Sequence, residues 1–320
     1  MGYFYSPTLK RRIADLLRTV SYDLIFVHCS SVAPYVANVR GIPKLLDFGD
    51  MDSQKWLDIA RHRPYPMKLV YWLEGQKLMA WEKRLAKAFD FCSVTTRGEL
   101  DTLRNFNSEN PSDFFPNGVD FDYFTPGDGY DPNSISFMGR MDYYPNQQAM
   151  IEFCREVLPV LRERVPEIKL SIIGAEPSAE IRALGNLPAV TVTGTVPDIR
   201  PLVRRCALTV APLNIARGTQ NKMLESMAMG VPVICSPIAL RGVDAEDGKH
   251  LLSASSPRDY ADAVVSVLSN PARRAELSAA CRERMIARHN WNGSLRRMEG
   301  LIDQCLRQHS SKLVAQGVLA

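Results

Sequence analysis

The sequence predicts an α/β protein built from two doubly wound, Rossmann-like domains, and three observations support this. The chain has 320 residues, which is long for one domain and fits two. Short apolar runs rich in β-branched residues alternate with longer amphipathic stretches, which is typical of parallel βαβ units. The pattern stops in the segment 114–126 (FFPNGVDFDYFTP), which is rich in Pro, Gly, Asn and Asp, and then starts again.

The first predicted domain, residues 1–125, contains three strands. Its predicted elements are, in chain order, a helix at Thr8–Val20, strands at Asp23–His28 and Lys44–Phe48, a long helix at about Tyr65–Ala88 and a strand at Phe91–Thr95. A doubly wound domain ordinarily opens with a strand and a Gly-rich turn, and this one opens with neither. We therefore expect the opening strands of this domain to be missing.

The second predicted domain, residues 126–288, is the more complete of the two. Its predicted strands are Ile135–Met138, Leu170–Ile173, Val190–Thr193, Leu208–Ala211 and Val233–Cys235, with helical stretches between them. Residues 289–320 are predicted to form a C-terminal helix that packs back toward the first domain.

Composition excludes several classes of protein. Hydrophobic residues make up 46% and charged residues 23%, which does not fit a disordered or fibrous chain. The net charge of +4 is spread along the chain, so nucleic acid is not an expected partner. The opening residues lack the apolar core of a signal peptide, and no apolar run reaches the roughly 18 residues that span a bilayer. Seven scattered cysteines without a CxxC motif indicate buried residues in a reducing compartment, so we expect a cytoplasmic protein without a bound metal.

The most informative stretch is 211–237, APLNIARGTQNKMLESMAMGVPVICSP. A strand leads into a loop with Arg217 and Gly218, and a helix opens near Thr219. The amide groups and positive dipole at such a helix start attract phosphate. Lys222 in the first turn adds a full charge, and Glu225 lies one turn further on the same face, where it could accept hydrogen bonds from ribose. The alternative is a solvated Lys–Glu pair on a surface helix.

The segment 221–234, NKMLESMAMGVPVI, resembles the donor-site helix of the retaining GT-B glycosyltransferases of group 1 (family 4 type), whose pattern is Lys-x-x-Glu-Ala-Met-Ala-x-Gly-x-Pro-Val. Further family landmarks occur in the same order: Asn117-Gly118-Val119-Asp120 between the domains, Gly139-Arg140 after the first strand of the second domain, and the strand-ending pairs Ile173-Gly174 and Thr193-Gly194. The resemblance covers about residues 20–300. Within the family, DFGDMDSQKW (47–56) and MDYYPN (141–146) resemble sugar transferases associated with exopolysaccharide and exosortase gene clusters.

The resemblance implies a GT-B fold of two facing Rossmann-like domains, the first truncated at its N-terminus. It also implies transfer of a sugar, with retained anomeric configuration and without a metal or other cofactor, from a nucleotide diphosphate sugar to a glycan or lipid-linked acceptor. Arg140, Lys222 and, as a further candidate, Arg217 would then stabilise the leaving diphosphate, and Glu225 would bind ribose. The remaining donor-binding residues implied are Gly139, Gly174, Gly194, Gly218, Thr219 and Asn221.

Two departures from the family pattern concern charge. The family often has a Glu eight residues before the ribose-binding Glu, where this chain has Arg217. It also has a diphosphate-binding Lys five or six residues after the Gly-Arg turn, where this chain has Pro145 and Asn146. Our hypothesis is that Arg217 compensates for the missing Lys; the alternative is that Arg217 is merely exposed on its loop.

The first domain supplies the candidate acceptor-side residues. Asp50 and Asp52 have the Asp-x-Asp spacing of the metal site in the other glycosyltransferase fold, but they lie in the wrong domain for that role. The family usually has a His in this loop, so either carboxylate could replace it; both could equally be surface loop residues. His28 ends a strand where α/β folds place ligands, so it either contacts the acceptor or is an ordinary strand-end histidine.

A patch of basic and aromatic side chains follows in the same domain. Its members are Arg61, His62, Arg63, Tyr65, Lys68 and Tyr71. The patch could make a peripheral contact with anionic lipid at the inner face of the membrane. A solvated start of the long helix is the alternative.

Two other functions remain open. A GT-B nucleotide-sugar epimerase also has two α/β domains, but it needs several carboxylates and a His in the cleft and lacks the Asn-Gly-Val-Asp and Lys-x-x-Glu patterns. The chain could also be a truncated or degenerate protein that binds nucleotide sugar without turnover.

Overall fold

The structure, a computed structural model, describes residues 5–106 and 109–315. These residues divide into two compact units. The first contains the described residues up to Pro116 together with those from Ser294 onward, and the second is Asn117–Gly293.

The first unit contains a parallel sheet in which four described strands lie side by side in chain order. The strands are β1 (Ile25–His28), β2 (Lys44–Asp47), β3 (Phe91–Val94) and β4 (Ser112–Phe114). The helices of this unit are α1 (Pro7–Thr19), a 3₁₀ turn (Ala33–Tyr35), α2 (Asp52–His62), α3 (Met67–Ala88) and α4 (Arg97–Phe106). Parallel pairing aligns His28 with Asp47 and Asp47 with Ser93, so the carboxyl ends of these strands lie together.

The second unit contains a six-stranded parallel sheet among its residues, in the order β10-β9-β8-β5-β6-β7. The strands are β5 (Asp131–Met138), β6 (Lys169–Ile173), β7 (Val190–Val192), β8 (Cys206–Ala211), β9 (Val233–Cys235) and β10 (Leu252–Ser253). The helices are α5 (Tyr144–Glu152), a π-helical turn (Phe153–Val157), α6 (Leu158–Arg164), α7 (Ala179–Leu184), α8 (Arg200–Arg204), α9 (Asn221–Ala228), α10 (Pro237–Leu240), α11 (Pro257–Leu268) and α12 (Pro271–Arg288). This is the doubly wound order, which reverses between β5 and β8.

The predicted α/β class and the eight predicted strands are confirmed. Strands β6 and β8 and the second half of β5 are recognisable because parallel strands covered on both faces consist mostly of apolar residues. The strands β4 and β10 were not predicted, since they have three and two residues. Helix α2 is not among the predicted elements, and its first residue, Asp52, was assigned to the loop after β2.

The boundary between the units lies earlier than the predicted position 125. Val119 is buried in the core of the second unit, and Phe121 and Phe124 pack against that core. The segment that follows Pro116 therefore belongs to the second unit, although its composition predicts a linker. At the other end of the chain, α13 (Trp291–Ala315) places Leu301 and Cys305 against Leu45 and Phe91 in the core of the first unit.

Three further findings concern single features of the described chain. Six cysteines are buried, Cys29 is half-buried, and all seven are free thiols. No helix within residues 5–106 and 109–315 is both long enough and apolar enough to cross a bilayer. In this part of the chain β1 pairs with β2 and with no other strand.

Candidate functional site

The sequence-predicted donor residues gather at the carboxyl ends of the strands of the second unit. Gly139 follows β5, Gly174 follows β6, Gly194 lies shortly after β7, and Gly218 lies between β8 and α9. Because β5 and β8 flank the point where strand order reverses, this edge is where doubly wound sheets bind ligands. The sheet topology therefore places the glycines at the edge where folds of this kind bind ligands.

The backbones of Gly139 and Gly174 approach each other too closely for side chains. Both have φ of +154°, and a Cβ on Gly174 would lie 1.7 Å from the carbonyl oxygen of Gly139. A Cβ on Gly139 would lie 2.7 Å from Asn146 Nδ2 and 3.3 Å from Lys222 Nζ. The absence of a side chain at Gly139 therefore makes room for two polar protein groups, in addition to any room it leaves for a phosphate.

Gly194 continues this edge of the sheet. Its φ is +68°, a left-handed conformation that glycine adopts without strain. Thr193 Oγ1 donates to the carbonyl of Gly194 at 2.9 Å and accepts a hydrogen bond from the Gly174 amide at 3.3 Å. The turns after β6 and β7 are thus held together by one hydroxyl group.

Helix α9 is anchored to the sheet by a chain of buried hydroxyl groups. Thr209 Oγ1 on β8 lies 2.9 Å from Ser136 Oγ on β5 and accepts from Ser226 Oγ on α9 at 3.0 Å. All three side chains are fully buried. Satisfied buried hydrogen bonds of this kind fix relative orientation, so the start of α9 is held at the strand ends.

Lys222, in the first turn of α9, is held by two contacts. Its Nζ donates to Asn146 Oδ1 at 2.5 Å and lies 4.7 Å from the centre of the Phe137 ring. Burial lowers the pKa of Lys222 to about 7, and the nearby carboxylate of Glu225 opposes this shift. An ammonium group in such surroundings gains strongly from an anionic ligand.

Glu225 is half-buried one turn further along α9. Burial raises the pKa of its carboxyl group to about 7, and Lys222 opposes the shift. Partial burial of both groups excludes the alternative of a fully solvated Lys–Glu pair. The pair consists of a cation and a hydrogen-bond acceptor spaced along one face of a helix.

Thr219 and Asn221 lie at the amino end of α9. Thr219 Oγ1 is buried and has no hydrogen-bond partner within the described residues. Asn221 is exposed, and its Oδ1 accepts from Asn117 Nδ2 at 3.1 Å, so the predicted Asn-Gly-Val-Asp segment reaches the start of α9. Since buried hydroxyl groups are nearly always paired, the hydroxyl of Thr219 is a candidate phosphate ligand.

The side chain of Arg140, which is predicted to stabilise the leaving diphosphate, is bound to two carboxylates. Its side chain is 68% exposed, and its guanidinium pairs with Asp142 at 2.6 Å and Glu176 at 2.5 Å. The hydrogen bond to Asp142 is the largest cause that raises the pKa of Arg140. Its link to Lys222 is through the backbone, because the Arg140 carbonyl accepts from Asn146 Nδ2 at 2.8 Å. The predicted stabilisation of a leaving group by the Arg140 side chain would require these ion pairs to rearrange.

Arg217 and Gly218 lie on the loop that leads into α9. Arg217 is half-buried, and its carbonyl accepts from Gln220 Nε2 at 3.0 Å. Gly218 has φ of +59°, and its carbonyl oxygen would lie 2.4 Å from a Cβ on Gly242. Both residues thus belong to a tightly packed loop, and the role of Arg217 at the diphosphate stays a prediction.

The predicted acceptor-side residues lie together in the first unit. His28 Nδ1 is 2.8 Å from Asp47 Oδ2, and Asp47 Oδ1 also accepts from Ser93 Oγ at 3.0 Å. The His28 side chain is 70% exposed, whereas that of Asp47 is 4% exposed. If the ring is neutral, this arrangement fixes the proton on Nδ1 and leaves the Nε2 lone pair to accept a proton.

Asp50 and Asp52 are half-buried, and burial raises the pKa of each carboxyl group. Asp50 accepts from Thr95 Oγ1 at 2.9 Å, and Asp52 is the first residue of α2. Neither carboxylate is fully exposed, and the choice between an acceptor-side role and a surface loop position stays a prediction. In the part of the chain that the structure describes, no group of three or more His, Cys, Asp or Glu residues could hold a metal ion.

Two buried carboxylates hold the start of α2. Glu82 on α3 accepts from the amide and the hydroxyl of Ser53, and Glu99 on α4 accepts from the Met51 amide at 2.9 Å. Glu82 is fully buried and Glu99 nearly so. Burial raises the pKa of Glu82 to about 7, and the hydrogen bonds from Ser53 oppose the shift. These groups position the loop that carries Asp50.

Asn146, Asp47 and Glu82 were not among the predicted site residues. Asn146 was noted only as the place of a missing cation, whereas it bridges the turn after β5 and the ammonium of Lys222. The pairing of Asp47 with His28 follows from strand register, which could have been inferred from two adjacent parallel strands that end in polar residues. Glu82 lies in the long helix α3, and no local pattern distinguishes it from Glu74, the exposed acid of the same helix.

The likeness to solved structures assigns these two parallel-sheet units to a class, the GT-B glycosyltransferase fold. The fold resembles that of sucrose-phosphate synthase from Thermosynechococcus elongatus, with a TM-score of 0.73, 18% identity and coverage of 93% of this chain and 77% of that one. It also resembles Anabaena Alr3699/HepE in complex with UDP and glucose, with a TM-score of 0.69, 12% identity and coverage of 92% and 81%. At these identities the likeness concerns the fold, and it confirms the predicted fold class.

The family is indicated by the second unit, where residues 132–270 match the glycosyl transferases group 1. The chain is 27% identical to phosphatidyl-myo-inositol mannosyltransferase from Mycobacterium leprae (strain TN) over 303 residues, which are 90% of this chain and 75% of that protein. It is 26% identical to D-inositol 3-phosphate glycosyltransferase from Rhodococcus opacus (strain B4) over 223 residues, which are 62% of this chain and 50% of that protein. The chain thus spans about half of the second relative. These matches support a glycosyltransferase of the group 1 type.

Proposed function

We propose that this protein transfers a sugar, with retention, from a nucleotide diphosphate sugar to a glycan or lipid-linked acceptor in exopolysaccharide biosynthesis. The observation that carries the proposal is the start of α9. There Asn146 holds the Lys222 ammonium, Thr219 has an unpaired buried hydroxyl, and Glu225 lies one turn away. Lys222 and Thr219 would bind the diphosphate of a nucleotide, and Glu225 would bind its ribose.

The difficult step in such a reaction is the departure of the nucleotide diphosphate from a cationic sugar. Lys222 and the amide groups at the start of α9 would stabilise the negative charge that develops on the leaving group. Glu225 would accept hydrogen bonds from the ribose hydroxyls and so fix the position of the diphosphate. In the front-face mechanism that the family resemblance implies, the departing phosphate accepts the acceptor proton, so no protein nucleophile is required.

The first unit supplies the proposed acceptor contacts. His28, oriented by Asp47, can hydrogen-bond to an acceptor hydroxyl, and Asp50 or Asp52 can bind a second one. Both relatives described above carry inositol in their names, and one names a phosphatidylinositol. This supports a polyhydroxylated or lipid-linked acceptor. We propose a cytoplasmic protein that works at the inner membrane face.

The proposal is tested by thermal shift with uridine, guanosine, adenosine and thymidine diphosphate sugars. At least one should stabilise the protein, and Glu225→Ala should weaken that donor by about 1.5–3 kcal/mol, the contribution of a hydrogen bond to a charged group. Glu225→Gln should lose less, since an amide oxygen still accepts. The matched control is Glu180→Ala, which removes an exposed carboxylate from α7. Unchanged donor affinity in Glu225→Ala would show that the donor site is elsewhere.

Turnover of the stabilising donor distinguishes the alternatives. With phosphatidylinositol, inositol phosphate and alkyl glycosides as acceptors, NMR of the product should show the anomeric configuration of the donor, and EDTA should not abolish the reaction. Formation of a 2-epimeric sugar without an acceptor would instead indicate an epimerase. Stabilisation without turnover would indicate a non-catalytic nucleotide-sugar binder. Loss of activity in EDTA with rescue by Mn²⁺ would favour a metal role for Asp50 and Asp52.

A further inference from the structure

Large apolar side chains are concentrated on the surface of the first unit where α2 leads into α3. We call residues 56–73 the hairpin tip. The exposed large apolar residues within it are Trp56, Tyr65, Met67, Leu69, Val70, Trp72 and Leu73, each with 37–74% of its surface accessible. Soluble proteins rarely expose so many apolar residues together unless the patch binds something.

The two halves of α3 differ in their environment. Residues 67–70 at its start are all exposed, whereas Gly75, Glu82, Leu85 and Ala86 further along the helix are buried. A Cβ on Gly75 would lie 2.8 Å from Leu57 Cδ2, so α2 and α3 pack closely at this point. The exposed apolar side chains therefore lie on a part of α3 that is held in place by close packing between α2 and α3 at Gly75.

The charged residues of the tip are basic at its surface. Arg61 and Lys68 are exposed, and Arg63 is half-buried with its guanidinium 5.8 Å from the Tyr71 ring centre. The acidic residue of the tip, Asp58, is buried and pairs with Arg61 at 2.6 Å. Within residues 56–73 the exposed charges are therefore basic, and the exposed Glu74 that follows them is paired with Lys77 at 2.7 Å.

A groove of about 480 Å³ runs along this surface. Its lining includes the apolar side chains of Leu57, Leu69 and Trp72 and the basic side chains of Arg61 and Lys68. Apolar and cationic groups are thus arranged on one surface. This combination matches the boundary between the acyl chains and the headgroups of a bilayer, where apolar and aromatic groups enter and basic groups meet phosphate.

We propose that the hairpin tip docks onto the surface of an anionic phospholipid bilayer. The apolar side chains around Leu69 and Trp72 enter the headgroup and acyl boundary, and Lys68 and Arg61 pair with lipid phosphates. Charge favours a bilayer over a second copy of the chain, because a two-fold interface would bring each basic patch close to its own copy. The inference deepens the proposed work at the inner membrane face, and it is independent of the proposed donor site, because it concerns other residues.

The proposal is tested by co-sedimentation of the full chain with phosphatidylcholine vesicles, with and without about one-third phosphatidylglycerol. The protein should sediment with the anionic vesicles and much less with the neutral ones, and salt at about 0.5 M should release most of it. The double variant Leu69→Ser/Trp72→Ser should bind at least about tenfold more weakly. Lys68→Gln should lose about fivefold.

Matched controls use exposed residues on other helices. Ile286→Ser and Leu295→Ser remove apolar side chains that are 48% and 45% exposed, and Lys10→Gln removes an exposed cation from α1. These variants should bind vesicles as the unaltered chain does. Every variant should keep its melting temperature and its thermal shift with nucleotide sugar, so loss of vesicle binding is separated from misfolding and from failure of the donor site.

Three results would overturn the proposal. The first is equal sedimentation of the double variant and the controls. The second is sedimentation that does not depend on phosphatidylglycerol. The third is absence of vesicle binding, combined with a concentration-dependent dimer in analytical ultracentrifugation. If the double variant abolishes that dimer, the tip binds a second copy of the chain instead.

Discussion

At the level of single residues, Asn146 organises the proposed donor site through two hydrogen bonds. Asn146 accepts from Lys222 and donates to the carbonyl of Arg140, so one amide connects the turn after β5 with the start of α9. Asn146 is only 4% exposed. A lysine at this position, as in the related family, would therefore place a second ammonium group beside Lys222.

The buried carboxyl group of Glu82, whose pKa is raised by burial, makes folding stability depend on pH. Its folded-state pKa of about 7 is above its ordinary value of 4.5, so between these pH values the folded state binds more protons than the unfolded state. This contribution to stability is fully present below pH 4.5 and is lost as the pH rises through 7. Glu82→Gln removes the titrating group and should remove this part of the pH dependence.

Urea denaturation at a series of pH values measures the effect. Between pH 4.5 and pH 7, the free energy of unfolding of the unaltered chain should fall relative to that of Glu82→Gln, by at most about 1.4 kcal/mol per pH unit. Glu74→Gln, which removes an exposed carboxylate from the same helix, should not flatten the profile in this window. Parallel profiles for the unaltered chain and Glu82→Gln would contradict the assignment.

At the level of elements, the loop from β8 into α9 carries the departure from the family pattern. Arg217 stands where a carboxylate is usual, in a loop that is packed against Gly242 through Gly218. If Arg217 contributes to diphosphate binding, Arg217→Ala should weaken nucleoside diphosphate far more than nucleoside monophosphate, because only the former has the distal phosphate. Arg217→Glu should be worse than Arg217→Ala. Competition binding with both nucleotides measures the difference.

Two other outcomes for Arg217 are informative. A loss of affinity confined to donors with a uronic acid would assign Arg217 to the recognition of an acidic sugar. Small and equal effects on all ligands would show that it is only a loop residue. The family pattern suggests that Asn146→Lys could rescue Arg217→Glu. We expect no rescue, because Asn146 is buried and hydrogen-bonds to Lys222.

Elements were predictable to different degrees for physical reasons. Strand Val233–Cys235 is apolar throughout and Phe91–Val94 is so except for Ser93, because both faces of a parallel sheet are covered, and this composition makes the strands recognisable. Helix α2 leaves a weaker pattern, because its start is capped by Glu82 and Glu99 from other helices and has no side-chain cap of its own. Local sequence does not encode a cap that comes from a distant residue.

At the level of the whole molecule, the sequence predicted two α/β units and the family landmarks, and the structure shows what supports those landmarks. Lys222 and Glu225 were predicted from spacing, and their burial and pKa shifts come from the surrounding fold. The exposed side chain of Arg140 shows the limit of a motif, since its ion-pair partner Glu176 lies after a different strand. Because Glu176 is 36 residues away from Arg140 in sequence, the motif around Arg140 does not predict this ion pair.

The central claim is that a nucleoside diphosphate binds at the start of α9 through Lys222. The most direct measurement is calorimetric titration of the unaltered chain and of Lys222→Met with uridine, guanosine, adenosine and thymidine diphosphates, with Lys249→Met, an exposed lysine of the same unit, as control. The account predicts binding of at least one diphosphate, unchanged in Lys249→Met and weaker by about 1.5–3 kcal/mol in Lys222→Met. Equal affinity in Lys222→Met and the unaltered chain, or binding of none of the diphosphates, would contradict it.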